Sequence, residues 1–145
     1  ELDSAAIDAQ LRDGVLRPGS FDYPVVFNVT GGYRFNPRWE FSTRVALLGG
    51  RPYTPYDETV SAEQRRGVYD LSRVNAERGP MYARLDVRVD RTFTAGGQPL
   101  NVFAGVQNIT DRRNFGGYIW NRRTNALEFN EQQGIFPIIG FDWRF

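Results

Sequence analysis

In the stretch YARLDVRVDRTF, Arg84, Asp86, Arg88 and Asp90 stand at every second position. Two carboxylates held this close could divide the acid and base roles of a hydrolase. Here, however, each acid has Arg neighbours on its own strand face. Positions two apart lie about 7 Å from one another, close enough to pair within the strand or with the strands beside it. Charge balance is therefore the expected role of Asp86 and Asp90. The chain contains no His and no Cys, which removes the usual triad, thiol and imidazole–metal chemistries. The acids of the connecting segments, Asp57, Glu58, Glu128 and Glu131, lack the close D-x-D-x-D-G spacing of a calcium loop. No catalytic residue, metal ligand or cofactor is expected.

A second group of side chains is suited to binding rather than turnover. RPYTPYD supplies Arg51, Tyr53 and Tyr56, and FGGYIWNRR supplies Phe115, Tyr118, Trp120, Arg122 and Arg123. Aromatic rings beside guanidinium groups suit sugars, aromatic chelates and anionic ligands. They suit a membrane-interface belt or anionic lipopolysaccharide equally well. The elements that carry them decide the matter.

The 145 residues make one ordinary domain. With 41% hydrophobic residues and a mean hydropathy of -0.49, no segment approaches the ~20 apolar residues of a membrane helix. A membrane β-barrel stays open, because its strands are apolar on alternate positions only. The 18 basic residues, all Arg, nearly balance 17 acids, which argues against a nucleic-acid binder. ELDSAAIDAQ lacks the basic start and apolar run of a secretion signal, so a signal is expected to be already removed or to lie upstream. Residues 1–22, with Ile7, Leu11 and Leu16 before Gly and Pro, read as a loop or short helix.

From Tyr23 the period becomes two. Val25, Phe27, Val29, Gly31, Tyr33 and Phe35 share one face, and Trp39, Phe41, Thr43, Val45 and Leu47 answer them after the Asn36–Pro37 break. Arg44 falls on the opposite, polar face. An irregular stretch over roughly 50–80 follows, long enough to suggest function. Leu85, Val87, Val89 and Phe93 then alternate with the charged set, TAGGQ turns, and PLNVFAGVQNIT returns. DRRNFGGYIWNRRTNALEFNEQQ reads as another long loop. The terminal strand GIFPIIGFDWRF sets Phe141, Trp143 and Phe145 on its apolar face, with Asp142 and Arg144 opposite.

The expected fold is thus all-β, an antiparallel up-and-down meander of about five long strands in residues 23–145. Short turns gather at one end and long loops at the other, the arrangement of an outer-membrane barrel. Arg44, Arg84, Asp86, Arg88 and Asp90 would face the lumen. Arg91 falls on the apolar face, but beside a short turn, where an Arg costs ~0–1 kcal/mol against ~2–4 at mid-depth. Phe93, Tyr33, Phe35, Trp39 and Phe41 would form an aromatic girdle there. A soluble sandwich with one solvated face would alternate similarly. Five strands cannot close alone, since small barrels need ~8. The sheet is therefore part of a larger barrel, or of one closed by oligomerisation.

The segments GGRPYTPYD, YARLDVRVDRTF, LNVFAGVQNITDRRN and QQGIFPIIGFDWRF, in this order, resemble the C-terminal end of TonB-dependent outer-membrane receptors. The resemblance spans roughly residues 23–145. It implies the closing strands of a plugged barrel of about 22 strands in the bacterial outer membrane, with long loops outside the cell. It implies as partners the remaining barrel and a plug upstream, outer-membrane lipid, and the TonB complex, reached through the N-terminal part. Phe141, Trp143 and Phe145 would be the terminal signal read by the barrel-assembly machinery. Uptake of a scarce ligand is the function implied. A surface-binding or adhesion β-protein is the alternative.

Overall fold

The computed structural model describes residue 14 and residues 16–144. The expectation for residues 1–22 lies mostly outside these; within them, the Asp22 N–H donates to Gly19 O at 2.9 Å and closes a turn. The described chain clusters into two compact units. One is a sheet unit built from Val25–Leu48, Tyr82–Asn114 and the stretch from Gln132 onwards. The other, a loop unit, joins the described residues up to Pro24 with Gly49–Met81 and Phe115–Glu131.

In the sheet unit, β1 (Val26–Asn36), β2 (Trp39–Leu48), β5 (Tyr82–Ala95), β6 (Gln98–Gln107) and β9 (Phe136–Trp143) form one antiparallel sheet in that order. The alternation in the sequence is the cause: the register places like residues in rows across the strands. Tyr33, Phe41, Val89, Ala104 and Ile139 form one such row, and Arg34, Glu40, Asp90, Phe103 and Gly140 form the next, on the opposite face. The sheet is open, with β1 and β9 as its outer strands. Among the described Ala, Val, Ile, Leu, Met, Phe, Trp and Tyr residues, only Ala46 is buried.

The short turns have local chemical causes. Asn36 Oδ1 accepts from the N–H groups of Arg38 at 2.9 Å and Trp39 at 3.1 Å, after a register shift between Arg34 and Asn36. Gly96 and Gly97 take φ of 59° and 79°, the left-handed pair that a two-residue hairpin turn demands. Two other glycines make hollows. The Phe103 ring occupies the space a Cβ on Gly140 would need, and Ile138 Cγ1 would lie 3.2 Å from a Cβ on Gly105.

The upper part of β5 extends beyond its ladder with β6, which begins at Val87. The segment after β6 substitutes for the missing neighbour. Ile109 N–H donates to Leu85 O, and Asn108 N–H donates to Asp86 Oδ1, each at 2.9 Å. Asn114, only 3% exposed, bonds both main-chain groups of Ala83 at 2.9 Å.

The two stretches read as irregular loops are ordered instead. In the first, β3 (Pro52–Tyr53) pairs with β4 (Glu77–Arg78) around a helix, α1 (Glu58–Gln64), and a 3-10 turn at Leu71–Arg73. Asp57 Oδ1 caps α1 by accepting from Val60 N–H, and Asp70 Oδ1 caps the turn through Ser72 N–H. Fully buried Ser61 accepts from Val68 N–H at 2.9 Å. In the second stretch, β7 (Phe115–Asn121) and β8 (Ala126–Glu131) form a hairpin. These devices are short and depend on side-chain caps, so periodicity does not reveal them.

Candidate functional site

On the polar face of the sheet, β5 holds its charges in adjacent pairs. Arg84 Nε lies 2.6 Å from Asp86 Oδ1, and Arg88 bonds both oxygens of Asp90 at 2.6 and 2.7 Å. Asn101 Nδ2 also donates to Asp90 Oδ1 at 2.8 Å. Arg88 stacks over the Phe103 ring at 3.8 Å, and Arg44 stands directly opposite Asp86 on β2. Each of these two carboxylates is thus occupied by a guanidinium. A cavity of about 550 Å³ opens beside them, lined by Arg34, Glu40, Arg88, Asp90 and Asn101 among others. Its walls include the ion pairs Arg34–Glu40 and Arg88–Asp90.

In the loop unit, Tyr53, Phe115 and Tyr118 form an aromatic triad with centroid separations of 4.9–6.2 Å. The Arg51 guanidinium lies beside Gly117, next to this triad in sequence and space. Tyr56 belongs to a different group. It stacks on Tyr69 at 4.4 Å with the two hydroxyls 3.1 Å apart, and both Tyr56 and Trp120 press on Gly67. Trp120 Nε1 is buried without a hydrogen-bond partner. Arg122 and Arg123 occupy the exposed β7–β8 turn, four and five residues along the chain from Tyr118. The seven candidate residues therefore divide into a triad edge (Arg51, Tyr53, Tyr118), a pair at Gly67 (Tyr56, Trp120) and a cationic hairpin tip (Arg122, Arg123).

Tyr69 and Gly67 are the partners that sequence reading misses. A lone Tyr between Val68 and Asp70 carries no periodic signal, and only the bridge between Tyr56 and Tyr69 brings it into place. Glu128 accepts hydrogen bonds from Asn121 and Thr124, which hold its carboxyl below the usual range. It serves the hairpin turn. Among the described residues no cluster of three acids suited to a metal ion occurs. Phe141 and Trp143 lie on the apolar face and are 72% and 47% exposed, whereas Phe145 falls outside the described residues.

The tyrosine pairs give a testable pH response. Burial, reinforced by Tyr118, pushes Tyr53 up to about 12, and burial with the Tyr69 hydrogen bond pushes Tyr56 up to about 12. Raised phenol values mean that the folded unit keeps protons which the unfolded chain loses near pH ~10. The stabilisation is complete below that pH and disappears as pH climbs towards about 12. Ultraviolet titration of the phenolates should show two of the chain's seven tyrosines ionising late. Tyr69→Phe should bring Tyr56 back towards the main transition. A single transition for all tyrosines would contradict the packing described.

Comparison with protein-family models, with curated proteins and with solved structures finds no match to this chain.

Proposed function

We propose that this chain is the C-terminal part of the barrel of a TonB-dependent outer-membrane receptor, supplying wall strands and external loops for ligand uptake. One observation carries the reading: a continuous apolar face runs across all five strands and is left uncovered. On it Ile139 is 82% exposed, Phe141 72% and Tyr33 63%. In a sandwich, a second sheet ~10 Å away would bury these side chains. Lipid is the medium that such a face suits, while the opposite face holds the pairs Arg34–Glu40, Arg84–Asp86 and Arg88–Asp90, as suits a hydrated lumen.

The dimensions support it. Strands of 8 to 14 residues, tilted as in outer-membrane barrels, cross an apolar band ~25 Å tall. Among the described residues no helix is long and apolar enough to cross a membrane, which leaves strand crossing untouched. The outer edges of β1 and β9 would pair with the remaining barrel strands, since bare backbone edges are not tolerated in lipid. A plug would fill the lumen and the TonB complex would act through the N-terminal part. The barrel-assembly machinery would read the terminal strand. On this reading the protein is a transporter, not an enzyme, and works without a cofactor.

The ordered loop unit also suits a second role, surface attachment without transport, because its aromatic triad is a ready contact surface. Two measurements on the full-length protein separate these readings. Recovery in the outer-membrane fraction, with heat-modifiable electrophoretic mobility, is expected for either barrel. Recovery as a soluble monomer without detergent would defeat both. Uptake abolished by a protonophore supports transport; ligand retention at the surface that ignores the protonophore supports attachment.

A further inference from the structure

Among the described residues, the apolar face of the sheet carries one charged side chain. The register sets Phe27 to Tyr33 on β1, Trp39 to Leu47 on β2, Ala83 to Phe93 on β5, Leu100 to Val106 on β6 and Pro137 to Trp143 on β9 on this side, at alternate positions. The charged side chain is Arg91. It is exposed, and among the described residues it forms no ion pair.

Its surroundings are built rather than incidental. Arg91 stands directly opposite Trp39 in the β2–β5 ladder, with its guanidinium 4.8 Å from the Trp39 ring centroid and 4.5 Å from that of Phe93. Aromatic rings stabilise the flat faces of a guanidinium. They offer no acceptor to its in-plane N–H donors. The site lies at the short-turn end of the sheet, since Trp39 follows the Pro37–Arg38 turn directly.

We propose that Arg91, held by Trp39 and Phe93, binds the phosphate of an anionic phospholipid headgroup at this end of the barrel. The inference rests on the membrane reading above, which makes the apolar face the lipid face. Charge and geometry both favour this occupant. A planar fork of donors matches two phosphate oxygens. The headgroup layer is also where a cation at the end of a lipid-facing strand finds anions. The acyl chains of the same lipid would lie along Val89, Val102 and Phe141, the neighbours of Arg91 towards mid-sheet and across the ladder.

The test uses the full-length protein in nanodiscs of phosphatidylcholine with a minor share of phosphatidylglycerol. Bound phosphatidylglycerol is then counted by native mass spectrometry. The native protein should retain it selectively, and Arg91→Ala should weaken retention about fivefold. Arg91→Lys should fall between them, because it keeps the charge and loses the fork. Arg44→Ala, which removes a charge from the opposite face, should change nothing. Equal retention by the native protein and both Arg91 variants, all inserted in the bilayer, would overturn the lipid site alone. Failure of every form to enter the bilayer would overturn the membrane reading, and the lipid site with it.

Discussion

Ile139→Arg is expected to destabilise the full-length protein in a bilayer by about 2–4 kcal/mol, the cost of Arg on a lipid-facing strand at mid-depth. Ile139 is the right probe because it is central in β9, pairs with Ala104, and is the most exposed large apolar residue of the sheet, at 82%. On a soluble protein, replacing so exposed an Ile would change stability by no more than about 0.5 kcal/mol. The two media therefore predict different magnitudes for one substitution. Ser42→Arg, on the polar face between Gly32 and Arg88, should be close to neutral in either medium. Reversible denaturant unfolding from lipid vesicles measures both. A near-zero effect of Ile139→Arg would remove lipid as the partner of this face.

The second large effect is expected at Asn114. Its carboxamide acts as a strand neighbour for Ala83, accepting from the N–H and donating to the carbonyl. This happens where β5 has run past the end of its ladder with β6. Ala in its place would leave two main-chain groups of a nearly sealed site without partners, at a cost of about 2–4 kcal/mol. Amide exchange at Ala83 should accelerate in parallel. Asn28→Ala, an exposed Asn on the polar face of β1, should cost less than about 0.5 kcal/mol. Equal unfolding midpoints for the two variants would show that Asn114 is not the clasp the geometry makes it.

What the sequence revealed follows a physical boundary. The alternation of Leu85 to Phe93 against Arg84 to Asp90 is a long period-two signal, and the ladder reproduces its faces residue by residue. The turns at Asn36–Pro37 and Gly96–Gly97 were legible because their residues have local conformational reasons to bend. The loop unit was not. Its strands β3 and β4 are two residues long and join distant positions of the chain, Pro52 with Arg78 and Tyr53 with Glu77. In β7, Phe115, Gly117 and Ile119 alternate with Gly116, Tyr118 and Trp120, so neither face is polar and no period emerges. The ion pairs of Arg84 with Asp86 and Arg88 with Asp90 were foreseeable from spacing. The Tyr56–Tyr69 stack required a fold-specific return of the chain.

The glycine hollows of the last two strands act on the fidelity of assembly. With β9 in its native register, the Phe103 ring covers Gly140 and Ile138 covers Gly105. A slip of two residues would keep every side chain on its proper face, so the apolar pattern alone cannot detect the error. It would nevertheless set Phe103 against Ile138 or Asp142 in place of Gly140, and Gly105 against Phe136 or Gly140 in place of Ile138. Side-chain shape at these two glycines thus distinguishes registers that the apolar pattern leaves equivalent.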